Sequence, residues 1–217
     1  RVTPLPEPPV GRIISINLLN SSTNALAPTD VAGFIPAPNW NNNTLPNDTM
    51  TTLVDSEGEV ADPTASFYFT NYGYVNATVT HPAPMNDDSK MMRSNRANSN
   101  TASTTSTLTG LTYGKYDVYV YWGGRSNGES VPATLKVELQ LLVSGTYTTV
   151  PDSARFITDA NRAWDGTYNE STAATSGAAV DGNEYVVFRN LEASSFRILT
   201  TGPSRTGPSG IQIVERP

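Results

Sequence analysis

The chain of 217 residues contains no cysteine. Disulfide staples, thiol nucleophiles and thiolate metal sites are therefore excluded, and the fold depends on its core alone. Histidine occurs once, at His81, in the stretch Thr80-His81-Pro82. A Ser-His-Asp arrangement would have to use it, and there is no Gly-x-Ser-x-Gly elbow to supply the nucleophile. A single histidine also cannot build a histidine-rich zinc site. Basic residues are few and scattered: 14 Lys and Arg against 20 Asp and Glu give a formal charge of −6. Only Lys90, Arg93 and Arg96 lie close together. With no basic stripe to displace counterions from phosphate, the charge pattern argues against a nucleic-acid partner. No apolar run approaches the roughly 20 residues that cross a bilayer, so no membrane span is expected. Gly123-Gly124 lacks the Gly-x-Gly-x-x-Gly spacing of a dinucleotide site.

Ser, Thr, Asn, Gly and Pro are abundant instead, and they favour short strands joined by structured loops. The hydrophobic residues are concentrated in alternating segments. Leu135, Val137, Leu139, Leu141 and Val143 share one face of an extended chain, and Lys136, Glu138 and Gln140 share the other. Residues 115–122 (Lys-Tyr-Asp-Val-Tyr-Val-Tyr-Trp) form a second such segment, and the turn-rich stretch 123–132 joins the two as antiparallel neighbours. Further strands are predicted at 11–19, 51–54, 65–70, 74–80, 104–111, 147–150, 155–158, 183–189, 195–200 and 210–214. Residues 20–48, 85–101 and 160–181 read as loops, with Val31 to Ile35 and the pair Met91 and Met92 apolar enough to reach the core. The expected class is all-β, a two-sheet antiparallel β-sandwich of jelly-roll type with long polar loops.

Residues 1–10 stand apart from this pattern. Arg1, Val2, Pro4, Pro6, Pro8, Pro9 and Val10 belong to a segment without periodicity that prefers polyproline II, and ten residues at ~3.1 Å each extend about 31 Å. The expected division is an N-terminal arm, 1–10, and a sandwich, 11–217. The first residue is Arg rather than Met, as expected of a mature chain whose leader has been removed, so the setting is secreted or cell-surface. Five Asn-x-Ser/Thr sequons occur, at Asn20, Asn42, Asn47, Asn76 and Asn169. With 48 Ser and Thr and 19 Asn in the chain, chance supplies about four, so they carry no argument for glycosylation.

The stretch Gly33-Phe34-Ile35-Pro36-Ala37-Pro38-Asn39-Trp40-Asn41-Asn42 resembles a G-x-x-P-x-x-N-W-N-N stretch of exported bacterial jelly-roll domains, similar to galactose-binding-like modules in planctomycete-like secreted proteins. The strand 116–121 and the terminal Gly210-Ile211-Gln212-Ile213-Val214 resemble the same group. The resemblance implies a fold, an extracytoplasmic setting and an inherited expectation of carbohydrate binding, and fold alone does not deliver function.

Three constellations are candidates for chemistry. Trp40 among Asn39, Asn41 and Asn42 sets an indole plate beside amides, a combination that suits sugar rings, and Trp164-Asp165 is a second such pair. The alternative is that Trp40 and Trp122 cap the ends of the sandwich core. For Trp122, which continues the face of Tyr116, Val118 and Val120, the core is the expected place. Asn86-Asp87-Asp88-Ser89 offers hard oxygen ligands for Ca2+ through Asp87 and Asp88, without the spacing of an EF-hand loop. Asp55, Glu57, Glu59, Asp87, Asp88, Asp165 and Glu170 could form the paired carboxylates of a glycoside hydrolase or lyase, but nothing in their spacing sets them apart from loop acids. The expected function is therefore non-catalytic: a self-assembling homopolymer subunit of a surface layer or filament, with contacts through the arm and the sheet edges. The alternative is a polysaccharide-binding module built on Trp40.

Overall fold

The computed structural model describes residues 11–19, 22–44, 47, 49–70, 73–74, 86–94, 97–98, 103–124, 132–160 and 164–217. The arm from Arg1 to Val10, His81 and most of the strand expected at 74–80 lie outside the described residues. In chain order the strands are β1 (Ile13–Leu18), β2 (Asn41–Asn43), β3 (Thr49–Met50), β4 (Ser66–Thr70), β5 (Gly73–Tyr74), β6 (Ala97–Asn98), β7 (Thr104–Thr109) and β8 (Tyr116–Tyr121). They continue with β9 (Ala133–Val143), β10 (Thr146–Thr149), β11 (Arg155–Asp159), β12 (Tyr185–Leu191), β13 (Phe196–Thr201) and β14 (Gly210–Glu215). One short helix, α1 (Asp87–Arg93), lies between β5 and β6.

Two sheets pack face to face. The five-stranded sheet runs β12-β8-β14-β1-β2, and the seven-stranded sheet runs β10-β9-β13-β7-β4-β3 with β11 also on β9. Within them, β1-β14-β8-β12 and β7-β13-β9-β11 are two antiparallel four-strand sets. The chain passes from one set to the other at β7→β8→β9 and again at β12→β13→β14, which is the order of a jelly roll. β2 and β4-β3 extend the two sheets at their margins.

Alternation decides which side chains fill the space between the sheets. Leu135, Val137 and Leu139 of β9 are buried there, with Ile198 and Phe196 of β13 and Ile211 and Ile213 of β14. From β8, Tyr116, Val118 and Val120 enter this core, followed by Trp122 as expected. The other β8 face is also buried: Tyr119 and Tyr121 belong to a second apolar cluster with Ile13, Ile35, Trp40, Met91, Met92, Trp164 and Tyr185. A strand covered on both faces reads as apolar or aromatic throughout. The five-stranded sheet thus has a roof on its outer face, made by residues 26–40, α1 and the segment around Trp164 and Tyr168.

Several elements differ from the sequence expectation. The strand expected at 51–54 is replaced by β3 at Thr49–Met50 and an isolated bridge from Val54 to Val60, and β6 lies within the loop expected at 85–101. Residues 87–93 form a helix where a loop was expected. Asn86 caps it, its Oδ1 accepting from Ser89 N at 2.8 Å, and Asp87 and Asp88 occupy the first turn. Seven residues are too few to show a helical period, and the element is held by tertiary burial of Met91 and Met92. β2 consists of three asparagines, which have low strand propensity. It forms because β1 supplies a parallel partner and because side-chain amides complete the pairing. Asn41 Nδ2 donates to Ser15 O (3.0 Å) and Val54 O (2.8 Å), while its Oδ1 accepts from Val54 N at 2.9 Å.

Candidate functional site

The outer face of the five-stranded sheet carries a cleft of about 460 Å³ lined by charged side chains. β8 contributes Asp117 and Tyr119, β12 contributes Tyr185, Arg189 and Asn190, and Arg216 follows β14. Phe34 from the roof closes one side, with its ring centroid 4.8 Å from Tyr185 and 6.1 Å from Tyr119. Phe34 is half-buried, whereas Tyr119 and Tyr185 are almost fully buried, so Phe34 offers most of the accessible ring.

Phe34 is held in place by a buried polar chain. Its backbone N–H donates to the Tyr121 hydroxyl at 3.1 Å, and that hydroxyl donates to Gln212 Oε1 at 2.5 Å. Gln212 Nε2 in turn donates to Ser15 Oγ and to Ile35 O. Burial pushes the Tyr121 phenol far above its ordinary pKa, so it stays a donor. Gly33 has φ +97°, and a Cβ there would lie 2.5 Å from Gln212 Oε1. Only glycine lets the roof approach this chain closely.

The rim is charged and paired. Arg189 makes two parallel bonds to Glu170, at 2.7 and 2.5 Å, the geometry that suits a guanidinium and a carboxylate. Asp117 accepts from Arg216 Nε at 2.9 Å and from Asn190 N at 2.8 Å, and Arg216 Nη2 donates to the Tyr119 hydroxyl. With Lys115, three cations face two carboxylates around an aromatic floor. Such a cleft can take a ligand with an apolar face and a few polar or charged arms.

Comparison with protein-family models, curated proteins and solved structures gave no match to this chain in any of the three. The reading of the site therefore rests on its geometry.

The residues singled out in the sequence lie elsewhere. Trp40 is buried at 4% exposure, and its Nε1 donates to Ala37 O at 2.9 Å. Its indole is part of the roof, not a surface plate. The neighbouring amides are occupied as well. Asn39, at φ +58°, donates to Ser56 O, and Asn42 Oδ1 accepts from both Asn17 Nδ2 and Leu26 N while its Nδ2 donates to Leu26 O. Trp164 is also buried, with Nε1 donating to Thr167 O. Asp165 is exposed and forms a turn, its Oδ1 accepting from Thr167 Oγ1 and N, bonds that hold its pKa below the usual value. Trp40 and Trp164 meet in the same roof cluster as structural members.

Asp87 and Asp88 are engaged by protein donors. Asp87 accepts from Val31 N and Lys90 Nζ, and Asp88 Oδ1 accepts from Gly33 N at 2.8 Å and from the Tyr168 hydroxyl at 2.7 Å. They fasten the roof to α1. Among the described residues, no group of three His, Cys, Asp or Glu side chains is placed to hold a metal ion. No described helix is long and apolar enough to cross a membrane.

Phe34, Tyr119, Tyr185, Arg189 and Arg216 were not anticipated as a group. The signal available was the second face of β8, where Asp117, Tyr119 and Tyr121 alternate with core residues. A strand apolar or aromatic on both sides implies a cover and hence a possible cleft at its border.

Proposed function

We propose that this protein is a non-catalytic structural subunit that assembles with copies of itself at the cell surface or outside the cell. One observation carries the reading: among the described residues, β10 is an edge strand without charge, proline or bulge. A free edge presents unpaired N–H and C=O groups, and proteins blunt such edges with charge, proline, bulges or shortness. β2 and β3 have three and two residues. β12 carries Arg189 and a register shift between Phe188 and Leu191. β11 is flanked by Ala173, whose carbonyl accepts from Phe156 N, and by a bridge from Thr158 to Asp181. β10 is Thr-Tyr-Thr-Thr and, among the described residues, pairs with β9 alone. Beside it the hairpin exposes Leu142 (45%) and Val143 (56%). Antiparallel pairing of β10 between two copies would be two-fold and would extend the seven-stranded sheet.

Light scattering and negative-stain imaging of the full chain test this, with Thr148→Lys alongside. The native chain is expected to form regular assemblies. Thr148→Lys is expected to need about tenfold more protein to do so, because the new charge faces its own symmetry mate. A 23.3 kDa monomer at every concentration overturns the proposal.

A second reading, saccharide binding, is favoured by the cleft around Phe34 rather than by Trp40. An apolar ring face bordered by arginines and carboxylates suits a sugar. It expects a monomer whose glycan binding is removed by Phe34→Ala, and a blank glycan array overturns it.

A further inference from the structure

We infer that the cleft around Phe34 is the acceptor for the proline-rich arm, Arg1 to Val10, of a second copy of this chain. The inference rests on the assembly reading above and supplies the contact that turns a two-fold pair into a polymer. An isologous β10 contact closes on itself, whereas an arm placed in a neighbour's cleft is head-to-tail and can repeat without end.

Four observations meet in this assignment. The first is sequence chemistry: Pro6-Glu7-Pro8-Pro9 places Pro6 and Pro9 one polyproline II turn apart, about 9 Å. Polyproline II segments lose little entropy on binding, and aromatic-lined grooves are their recurrent acceptors. The second is the cleft itself, with Phe34, Tyr119 and Tyr185 at mutual centroid distances of 4.8 to 6.1 Å. The third is charge. The arm carries Arg1 and Glu7, and the rim carries the pairs Arg189–Glu170 and Arg216–Asp117 with Lys115. Glu7 would meet Lys115, Arg189 and Arg216 and Arg1 would meet Glu170 and Asp117, in exchange for pairs the rim already holds, Lys115 with Glu192 among them.

The fourth is position. Gly11 N donates to Glu215 O, and Arg216 N donates to Lys115 O, so Gly11 sits at the end of the sheet where Lys115 and Arg216 border the cleft. It lies one strand beyond β14, about 5 Å away. Entering the cleft of the same copy requires a reversal of direction beside Gly11, over the end of β14. Proline-rich segments keep their direction over several residues. The arm therefore reaches a neighbour more readily than its own cleft.

The test uses the full chain and a synthetic peptide of residues 1–10. Excess peptide is expected to bind, measured by calorimetry, and to reduce polymers to two-fold pairs in sedimentation. Phe34→Ala is expected to weaken peptide binding about tenfold, and Phe34→Tyr to keep it. Thermal melts check that both variants fold. Polymers that respond to Thr148→Lys but ignore the peptide overturn this inference and leave the assembly reading standing. Peptide binding to a chain that stays monomeric overturns both, because the occupant is then the chain's own arm. Displacement of the peptide by a saccharide that binds more tightly than the peptide also overturns the inference.

Discussion

Arg216 Nη2 lies 2.7 Å from Asp117 Oδ2, ninety-nine positions away in sequence, and both side chains are largely buried. The pair ties the end of β14 to β8 beneath the cleft. Removing one partner of such a pair leaves a charge with few partners, whereas replacing both with apolar groups can be nearly neutral. Arg216→Met is expected to cost about 3 kcal/mol. Asp117→Leu combined with Arg216→Met should recover most of that loss. Urea unfolding decides between these outcomes, read as a shift in midpoint at constant slope. A double variant whose loss equals the sum of the Asp117→Leu and Arg216→Met losses would show that the pair is not coupled.

Glu184 is a buried acid whose backbone and side chain hold the segment at Asn169. Its Oε2 accepts from Asn169 N at 3.0 Å. Burial pushes its pKa up to about 7, with the Asn169 bond pulling the other way and Asp165 and Asp181 adding to the rise. The folded protein keeps a proton that the unfolded chain, titrating near 4.5, has already released. Glu184 therefore lowers stability progressively as pH rises from about 4.5 to about 7, and above that its full cost of roughly 3 kcal/mol applies. Glu184→Gln keeps the acceptor and removes the charge. It should raise the melting temperature at about pH 8 and change little at about pH 4.5, seen by calorimetry at the two values. An equal gain at both pH values would rule out the titration.

Trp40 fills the roof. Trp40→Ala is expected to lose about 3–5 kcal/mol, the usual cost of deleting a buried indole, and to lower the melting temperature by about 10 °C or more. Circular dichroism melts measure this directly. Unchanged stability would mean that the indole is not packed against the sheet.

Gly123 follows β8 where the chain presses on α1. A Cβ there would overlap the carbonyl of Met92, and backbone on both sides leaves little room to yield. Gly123→Ala should destabilise by about 2 kcal/mol and release the end of α1. Hydrogen exchange at Met91 and Met92 would then speed up, and unchanged exchange would show that the contact is loose.

Much of the sandwich was legible because a strand writes its own pattern. The alternation of Leu135, Val137 and Leu139 announces a buried face within five residues, and β9, β8, β13 and β14 lie where that pattern placed them. β2 left no such trace, because three asparagines become a strand only when Ser15 and Val54 offer partners to their amides. α1 was hidden for a related reason: its seven residues depend on burial of Met91 and Met92 under the roof. Trp40 beside asparagines was legible as a notable stretch, with a surface plate and a buried cap both open, and the roof contacts decide for burial.

The sequence by itself determined the all-β class, the run of strands and the exclusion of thiol chemistry, since these follow from composition and from a side-chain period of two. Only the tertiary structure decided what the outer face of the five-stranded sheet would be. The order β12-β8-β14 sets Tyr185, Asp117, Tyr119 and Arg216 side by side, and a glycine at position 33 lets Phe34 close over them. Phe34, the β8 pair Asp117 and Tyr119, Tyr185 and Arg216 are separated from one another by tens of positions, so no local pattern encodes their meeting. Strand pairing over long sequence distances brings them together.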